Sequence, residues 1–535
     1  MIRLLKKWRN KDSHYTFGEL KNDSFNFDQI EKYFGKKEHS NSFQLLGDKT
    51  CNDLDFQELF MFVDRTESRV GQQFLYDKLR SIPIRKEDCF NTEWLVQKLS
   101  EDLDFRLFVQ KQLKKLNNQD AYYLTSIFQE DHLKPPKWFF VTRLLSFANI
   151  LSLALLFVTV DMVFIIGGIF IINMIIHYWN KRNLYQYLNS IPQLLKLNKI
   201  AQELFNNDQL KDINPDLLKS INTLGKVKRR MSFFNIEAKF QGDLEAAFWG
   251  IIELFKILFL IEPIILFDVL KQLDSKRKQI ETIFQFVGQI DSSLSIASLR
   301  ESTESFCLPT IIENKKTIIA HEVYHPLITE CIKNSIEVEE KSILLTGSNM
   351  SGKTSFIRTI AINAITGQTL NTCFADQFSM PRMSISSAIR ISDDLMNDKS
   401  YYFEEVLTIK EMIDKSCEKI PNLFLLDEIF KGTNTIERIS AGKAVLSALA
   451  KNGNIVFVST HDIELADLLK NEFDLFHFSE KVDQKTVDFD YKLKEGKLKN
   501  RNAIRILQIN DYPERIISEA IEISKKLDEK NMLLR

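Results

Sequence analysis

The sequence predicts two parts in series: an all-α region carrying an apolar two-helix hairpin, then an α/β domain with a phosphate-binding loop. Three observations lead there. Apolar residues recur at helical spacing through much of the first part, two nearly charge-free apolar runs stand back to back inside it, and from Thr317 onward short β-rich runs alternate with helical segments. The expected limits are an N-terminal segment 1–45, a helical part 46–140, the hairpin 141–181, a second helical part 182–304 and the α/β domain 305–535.

At 535 residues the chain is longer than one hydrophobic core usually covers, so two to four domains are expected. Hydrophobic residues make up 44% and charged residues 27%, which excludes a disordered chain. The net charge of −1 leaves no global basic excess, so any nucleic-acid contact has to come from a local patch. The six cysteines are scattered without a CxxC pair, a pattern of reduced thiols and not of a disulfide framework. The basic start MIRLLKKWRNKD has no apolar run behind it, so no cleaved signal peptide is expected.

From Leu54 to Gln129 the helical period is carried by Phe56, Leu59, Phe60, Phe62 and Val63, then by Leu95, Leu99, Leu103, Phe108 and Leu113. Leu144–Val160 and Met162–Asn180 follow without a Lys, Arg or Glu, and only Asp161 separates them. The eleven Leu, Ile, Phe and Val of the first run contribute roughly −3 to −7 kcal/mol to insertion, enough to offset one Asn and a few hydroxyls. Each arm is close to the ~20 residues a bilayer span needs, and Asp161 falls where a hairpin would turn. Lys134, Lys137 and Arg143 precede the pair and Lys181 and Arg182 follow it, so the positive-inside bias predicts a membrane hairpin at 144–180 with both termini and the α/β domain cytoplasmic. A second apolar stretch, Phe248–Phe267, contains Glu253, Lys256 and Glu262 and then Pro263. Those charges cancel its aliphatic gain, so it reads as one buried or membrane-facing helix and not a third span.

The strongest local signal is the apolar run Ser342–Thr346 leading into Gly347-Ser348-Asn349-Met350-Ser351-Gly352-Lys353-Thr354-Ser355, with a helical pattern behind it. GxxxxGK[ST] between a strand and a helix is a P-loop: backbone N–H groups close around phosphate oxygens, Lys353 reaches the β/γ-phosphates and the Thr354 hydroxyl ligates Mg²⁺. Asn422–Glu428 is a buried strand ending in two carboxylates, expected on the strand beside the loop. Asp427 there holds the metal and Glu428 orients or deprotonates the attacking water. Ile455–His461 ends a further strand, with His461 placed toward the γ-phosphate. The chemistry implied is ATP hydrolysis with Mg²⁺, with Lys353, Glu428 and His461 as its catalytic residues.

The series GSNMSGKT, ISDDLMNDKSYYFEEV, LFLLDEIFKGTNT and VSTHDIEL resembles the ATPase domain of the MutS DNA mismatch-repair family. So do Tyr324-His325-Pro326 and Asp511–Ala520, and the likeness covers roughly residues 320–525. More weakly, Glu58–Thr66 with Gly71 is similar to the start of the family's helical core, and Gly288–Ala297 to the helix returning from its lever. The resemblance implies a homodimer with composite sites, in which Ser400 contacts the partner's γ-phosphate and Gly432-Thr433-Asn434-Thr435 is the cross-dimer loop. Asn434, where Ser is usual, and Phe430, where a small residue is usual, depart from the pattern. The stretch before the core is too short for the family's mismatch-reading domain, and the hundred or so residues from Ile191 to Asp291 are too few for its full clamp. A membrane-anchored member without mismatch recognition or most of the clamp is therefore expected.

Three further signals are set aside. Phe-x-Glu, the family's wedge, occurs at Phe17, Phe56 and Phe403, too often to carry meaning. His321–His325 spells HExxH, but Pro326 disfavours the helix that motif needs. Lys226–Arg230 is a basic cluster that reads as a solvated helix face, or as a contact to phosphates or anionic lipid. Two functions fit the whole: a MutS-like ATPase coupled to DNA at the membrane, or an ATP-gated membrane scaffold acting on a protein or lipid.

Overall fold

A computed structural model describes residues 17–40, 42–85, 90–235, 243–313, 315–348, 350–390, 401–482, 487–498, 507–510 and 512–533. The described chain forms two compact units that alternate along the sequence. The first comprises Met1–His39, Val63–Lys78 and Thr92–Ser302; the second comprises Ser40–Phe62, Leu79–Asn91 and Thr303–Arg535.

The first unit is helical. Its principal elements are α1 (Arg69–Arg80, whose last two residues lie in the second unit), α2 (Phe140–Leu155), α3 (Met162–Asn183), α4 (Tyr185–Phe205), α5 (Asp243–Phe259), α6 (Ile261–Asp274) and α7 (Arg277–Ser302). From Ile280 to Arg300 α7 is buried on nearly every side, as a helix at the centre of a bundle must be. Tyr33 packs on it through Phe284, ring centroids 4.7 Å apart. Glycine lets α1 approach closely: a Cβ on Gly71 would stand 2.5 Å from the Cβ of Asp291, and one on Gly288 2.6 Å from that of Phe74. Asp291, fully buried, accepts from the backbone N–H groups of Glu67 (2.9 Å) and Ser68 (2.8 Å) and from the Ser68 hydroxyl (2.5 Å).

Helices α2 and α3 are the two arms of the expected hairpin and leave large apolar side chains exposed, among them Phe147, Ile150, Phe164 and Ile175. Measured by composition, Lys137–Leu155 and Met162–Arg182 are long and apolar enough to cross a membrane, with mean hydropathies of 1.6 and 2.0. The stretch Phe248–Phe267 corrects the expectation of one helix. It breaks at Leu260, whose backbone is left-handed (φ 45°), and Pro263, which lacks an N–H, falls in the first turn of the helix that follows, where no intrahelical bond is lost. The carbonyls freed by the break take side-chain donors from the hairpin: Asn149 (2.6 Å) and Asn173 (2.8 Å) both donate to Leu258 O, and Ser146 (2.6 Å) to Phe259 O.

The second unit is α/β. A six-stranded sheet runs in the order β12 (Lys494–Glu495), β11 (Phe473–His477), β6 (Ser342–Thr346), β10 (Ile455–Thr460), β9 (Asn422–Asp427), β8 (Ser384–Ala388), and only β12 is antiparallel to its neighbour. β6 and β10 are buried at every position and β9 at all but Asp427, as parallel strands covered on both faces are. Leu344, Phe424, Leu426, Val456 and Val458 form the core with Leu446, Leu449 and Leu465 from the helices α10 (Thr435–Leu449) and α11 (Ile463–Leu469). A second sheet orders β3 (Thr310–Ile311), β7 (Gln377–Met380), β4 (Thr317–Val323) and β5 (Asn334–Glu339). Three further helices of this unit are α8 (Lys353–Leu370), α9 (Tyr401–Ser416) and α12 (Glu514–Leu533).

The N-terminal part of the chain contributes to this unit as well. β1 (Ser42–Leu45) pairs antiparallel with β2 (Ser81–Pro83), and Asp53, buried, accepts from the Ser387 hydroxyl (2.6 Å) and from the backbone of Ile389 (3.0 Å) and Arg390 (2.7 Å). His321 lies on β4 with its ring 3.7 Å from Glu337, so the HExxH letters fall on extended chain.

Candidate nucleotide site

The site grows from the carboxyl ends of β6, β9 and β10. β6 runs into the glycine loop, which ends in Gly352 (φ 106°) as the N-cap of α8. A Cβ on Gly347 would stand 2.8 Å from both Phe478 O and Ser351 Oγ, so the loop closes only with glycine there. Lys353 is buried and donates to the carbonyls of Gly347 (2.9 Å) and Ser348 (2.7 Å). Burial holds its ammonium below the ordinary lysine range, opposed by the carboxylates of Glu428, Asp427 and Glu480. The Ser348 hydroxyl donates to Glu480 at 2.7 Å, and Met350 stands exposed at the lip with φ 69°. Asn349 lies outside the described residues.

The sheet order corrects one expectation. β9 is not beside the loop strand; β10 lies between them, with Ser459 in register with Asp427. The Ser459 hydroxyl donates to Asp427 Oδ1, and Asp427 Oδ2 accepts from the Thr354 hydroxyl at 2.8 Å. A short side chain on the middle strand is what lets Asp427 reach across to the first turn of α8. Ser459 was not singled out in the sequence, although its place at the end of the β10 run carried the signal.

Glu428 has a left-handed backbone (φ 52°) and donates its N–H to Ser459 O at 2.9 Å, which turns its side chain out of the strand line into the cleft. One carboxylate oxygen meets His461 Nε2 and the other Lys431 Nζ at 2.9 Å. Burial alone would raise its pKa; His461 and Lys431 outweigh burial and hold it at about 2. Lys431 is a partner that sequence reasoning missed.

The flanking loop explains its two departures from the family pattern. Phe430 (φ 60°) donates its N–H to the buried Glu405 at 2.5 Å and lays its ring against Tyr402, centroids 6.3 Å apart. Asn434 caps α10 by accepting from Glu437 N at 3.0 Å, a task Asn performs as well as Ser. Arg438 clamps Asp462 through two hydrogen bonds of 2.9 and 2.8 Å. Ser400 lies outside the described residues.

Together Lys353, Thr354, Asp427, Glu428 and Lys431 line one cleft of about 670 Å³, a volume suited to a nucleotide. The same cleft is lined by Tyr324, Ile328, Ile332 and Tyr491, apolar and aromatic groups that suit a purine ring. The donor set suits a hard cation: the Thr354 hydroxyl and the Asp427 carboxylate are one hydrogen bond apart, close enough to share an Mg²⁺. The Ser351 hydroxyl, buried in the loop, has no hydrogen-bond partner among the described residues.

Residues 343–528 match the family model MutS domain V. The chain is 26% identical over 321 residues to the DNA mismatch repair protein MutS of Listeria welshimeri, a match covering 57% of this chain and 37% of that protein. It is 27% identical over 286 residues to the protein of the same name from Methanosarcina acetivorans, covering 50% and 31%. For that of Petrotoga mobilis the identity is 30% over 287 residues, covering 50% and 34%. The chain thus spans about a third of the length of the relatives it matches.

Proposed function

We propose, from the premise that this chain belongs to the MutS family through the domain V at residues 343–528, that it binds Mg·ATP in this cleft and hydrolyses it. The observation that carries the reading is the Thr354–Asp427 hydrogen bond of 2.8 Å beside a Glu428 held by His461 and Lys431. The loop N–H groups and Lys353 bind the β- and γ-phosphates. Thr354 and Asp427 would hold Mg²⁺, which would supply neutralising charge at the phosphates. Glu428 is a fully ionised, weakly basic carboxylate near neutral pH, so its task is to orient the attacking water and not to take its proton early. His461 and Lys431 fix that carboxylate.

The active form is a homodimer whose sites are completed in trans by Ser400 of the other subunit, a reading supported by the family resemblance. Mixing tests it. Lys353→Ala weakens ATP binding and Ser400→Ala reduces turnover; a mixture of the two variants recovers part of the activity, because one intact loop then faces one intact Ser400. No recovery on mixing, with both variants folded, means each subunit works alone.

The nucleotide state is coupled to DNA, the substrate that the relatives' name gives for them. The exposed apolar faces of α2 and α3 anchor the protein in a membrane, with both termini and the nucleotide domain on the cytoplasmic side. Those faces also favour a second reading, an ATP-gated membrane scaffold acting on a protein or lipid. DNA binding by the detergent-solubilised chain across a salt series separates the two. A steep salt slope supports phosphate contacts, and no binding with or without ATP supports the scaffold.

A further inference from the structure

Ionisable groups gather where the broken helix pair meets the hairpin. Glu253 on α5 lies beside His177 and Lys181 of α3, and Leu258, further along α5, lies beside Asn173 and Asn149. Past the break, Phe267 of α6 stacks edgewise on Phe139, just before the start of α2, with centroids 4.7 Å apart. The chain therefore reverses direction at Leu260 and brings Glu262 back toward Glu253. His177, Glu253, Lys256 and Glu262 are each more than nine-tenths buried in the crevice this forms.

Buried charges are normally saturated with hydrogen bonds, since an unsatisfied one costs several kcal/mol of desolvation. Here three side-chain atoms of His177, Glu253 and Glu262 are not. Glu253 Oε1 is well held, by His177 Nε2 (3.1 Å) and Lys181 (3.1 Å). Glu253 Oε2, Glu262 Oε2 and His177 Nδ1 are buried without a hydrogen bond among the described residues. The Lys256 ammonium stands 3.3 Å from Glu262 Oε2 and 3.7 Å from Glu253 Oε2, longer than the ~2.8 Å of a charge-assisted hydrogen bond. A positive group thus lies between two carboxylates that each keep an oxygen without a hydrogen bond among the described residues, with an imidazole beside them.

We propose that His177, Glu253 and Glu262 form a binding site for a divalent transition-metal ion. One ligand atom from each lies within 4.8 Å of the others, and a metal ~2.1 Å from each donor needs them ~3–4 Å apart, a gap that small side-chain rotations close. One imidazole and two carboxylates are borderline-to-hard donors, which suit Zn²⁺, Mn²⁺ or Co²⁺. The three ligands come from α3, α5 and α6, so an occupied site ties both arms of the broken helix to the hairpin. Lys256 is the resident competitor: its ammonium swings aside when the metal enters, so it weakens the site. The proposal rests on this helix packing, and neither on the bilayer assignment nor on the nucleotide cleft.

The test is binding of Zn²⁺ and Co²⁺ to the full-length, detergent-solubilised chain after chelator stripping, read by metal content after gel filtration and by titration calorimetry. Wild type is expected to retain one equivalent per chain, with Co²⁺ giving the absorption of nitrogen and oxygen ligation. Affinity is expected to fall at least about tenfold in His177→Ala and in Glu262→Gln, and to rise in Lys256→Met. The Lys256→Met gain is informative even if a ligand variant fails to fold, because instability cannot tighten binding. Absence of retained metal in wild type overturns the site. So does retention unchanged in both folded ligand variants, or Co²⁺ absorption of thiolate character, which assigns the metal to cysteines. Glu428→Gln, which alters only the nucleotide cleft, leaves retention unchanged.

Discussion

Glu428 sits in a conformation that a non-glycine residue adopts only when its surroundings fix it, with φ 52° and its N–H tied to Ser459. The strain aims the carboxylate at His461 and Lys431, and their positive partnership lowers its pKa to about 2 against the opposing effect of burial. A pH consequence follows. A depressed carboxylate adds stability that is present above its unfolded value of 4.5 and is lost as pH falls toward about 2. Glu428 therefore stays ionised throughout pH 5–8, and the pH profile of ATP turnover is expected to show no acid limb from it in that window. In His461→Ala the carboxylate loses a partner and its pKa rises, so the acid limb moves upward; an unchanged profile would remove His461 from that role. At this scale the loop and the carboxylate pair were legible because their chemistry demands fixed residue types at fixed spacing. Ser459, Lys431 and Glu480 were not, because each acts through tertiary proximity: a hydroxyl across a strand register, an ammonium three residues on, a carboxylate far along the chain.

Among the elements, α1 and α7 show how sequence can mark a contact without explaining it. Gly71 and Gly288–Ala297 stood out only by resemblance; the structure gives the reason, since each glycine admits the facing helix. Gly71→Ala forces a methyl against the Asp291 side chain in a core with no slack, and is expected to destabilise the chain by about 1–3 kcal/mol. Urea unfolding measures this, and a Gly71→Ala protein as stable as wild type would show that the interface yields. The two hairpin arms were readable from length and charge alone. The break at Leu260 was not placed, even though Pro263 was in view, because proline sits comfortably in a first turn and so marks a start one turn earlier. The middle strand β10 was likewise hidden: a buried parallel strand reads the same wherever it sits in the sheet, and its order follows only from pairing.

For the molecule as a whole, hydropathy and motif order announced the helical and α/β regions, but not how the chain is shared between them. Residues 40–62 and 79–91 fold with the nucleotide domain. What ties the first of them there is a few specific contacts, Asp53 with Ser387 and Arg390 and Asp55 with Arg358 (2.9 Å), which leave no periodic trace. The exposed apolar arms predict membrane attachment that survives high salt and alkaline carbonate; release into the supernatant by carbonate would make the hairpin a soluble one with another cover. The claim on which the rest depends is that this cleft hydrolyses ATP through Glu428. It is tested most directly by measuring nucleotide affinity and steady-state turnover side by side in wild type and Glu428→Gln with Mg²⁺. The expected result is near-unchanged ATP affinity with turnover slowed by about 10²–10⁴-fold, the loss of a positioned water-orienting group. Equal turnover in the two proteins would contradict it.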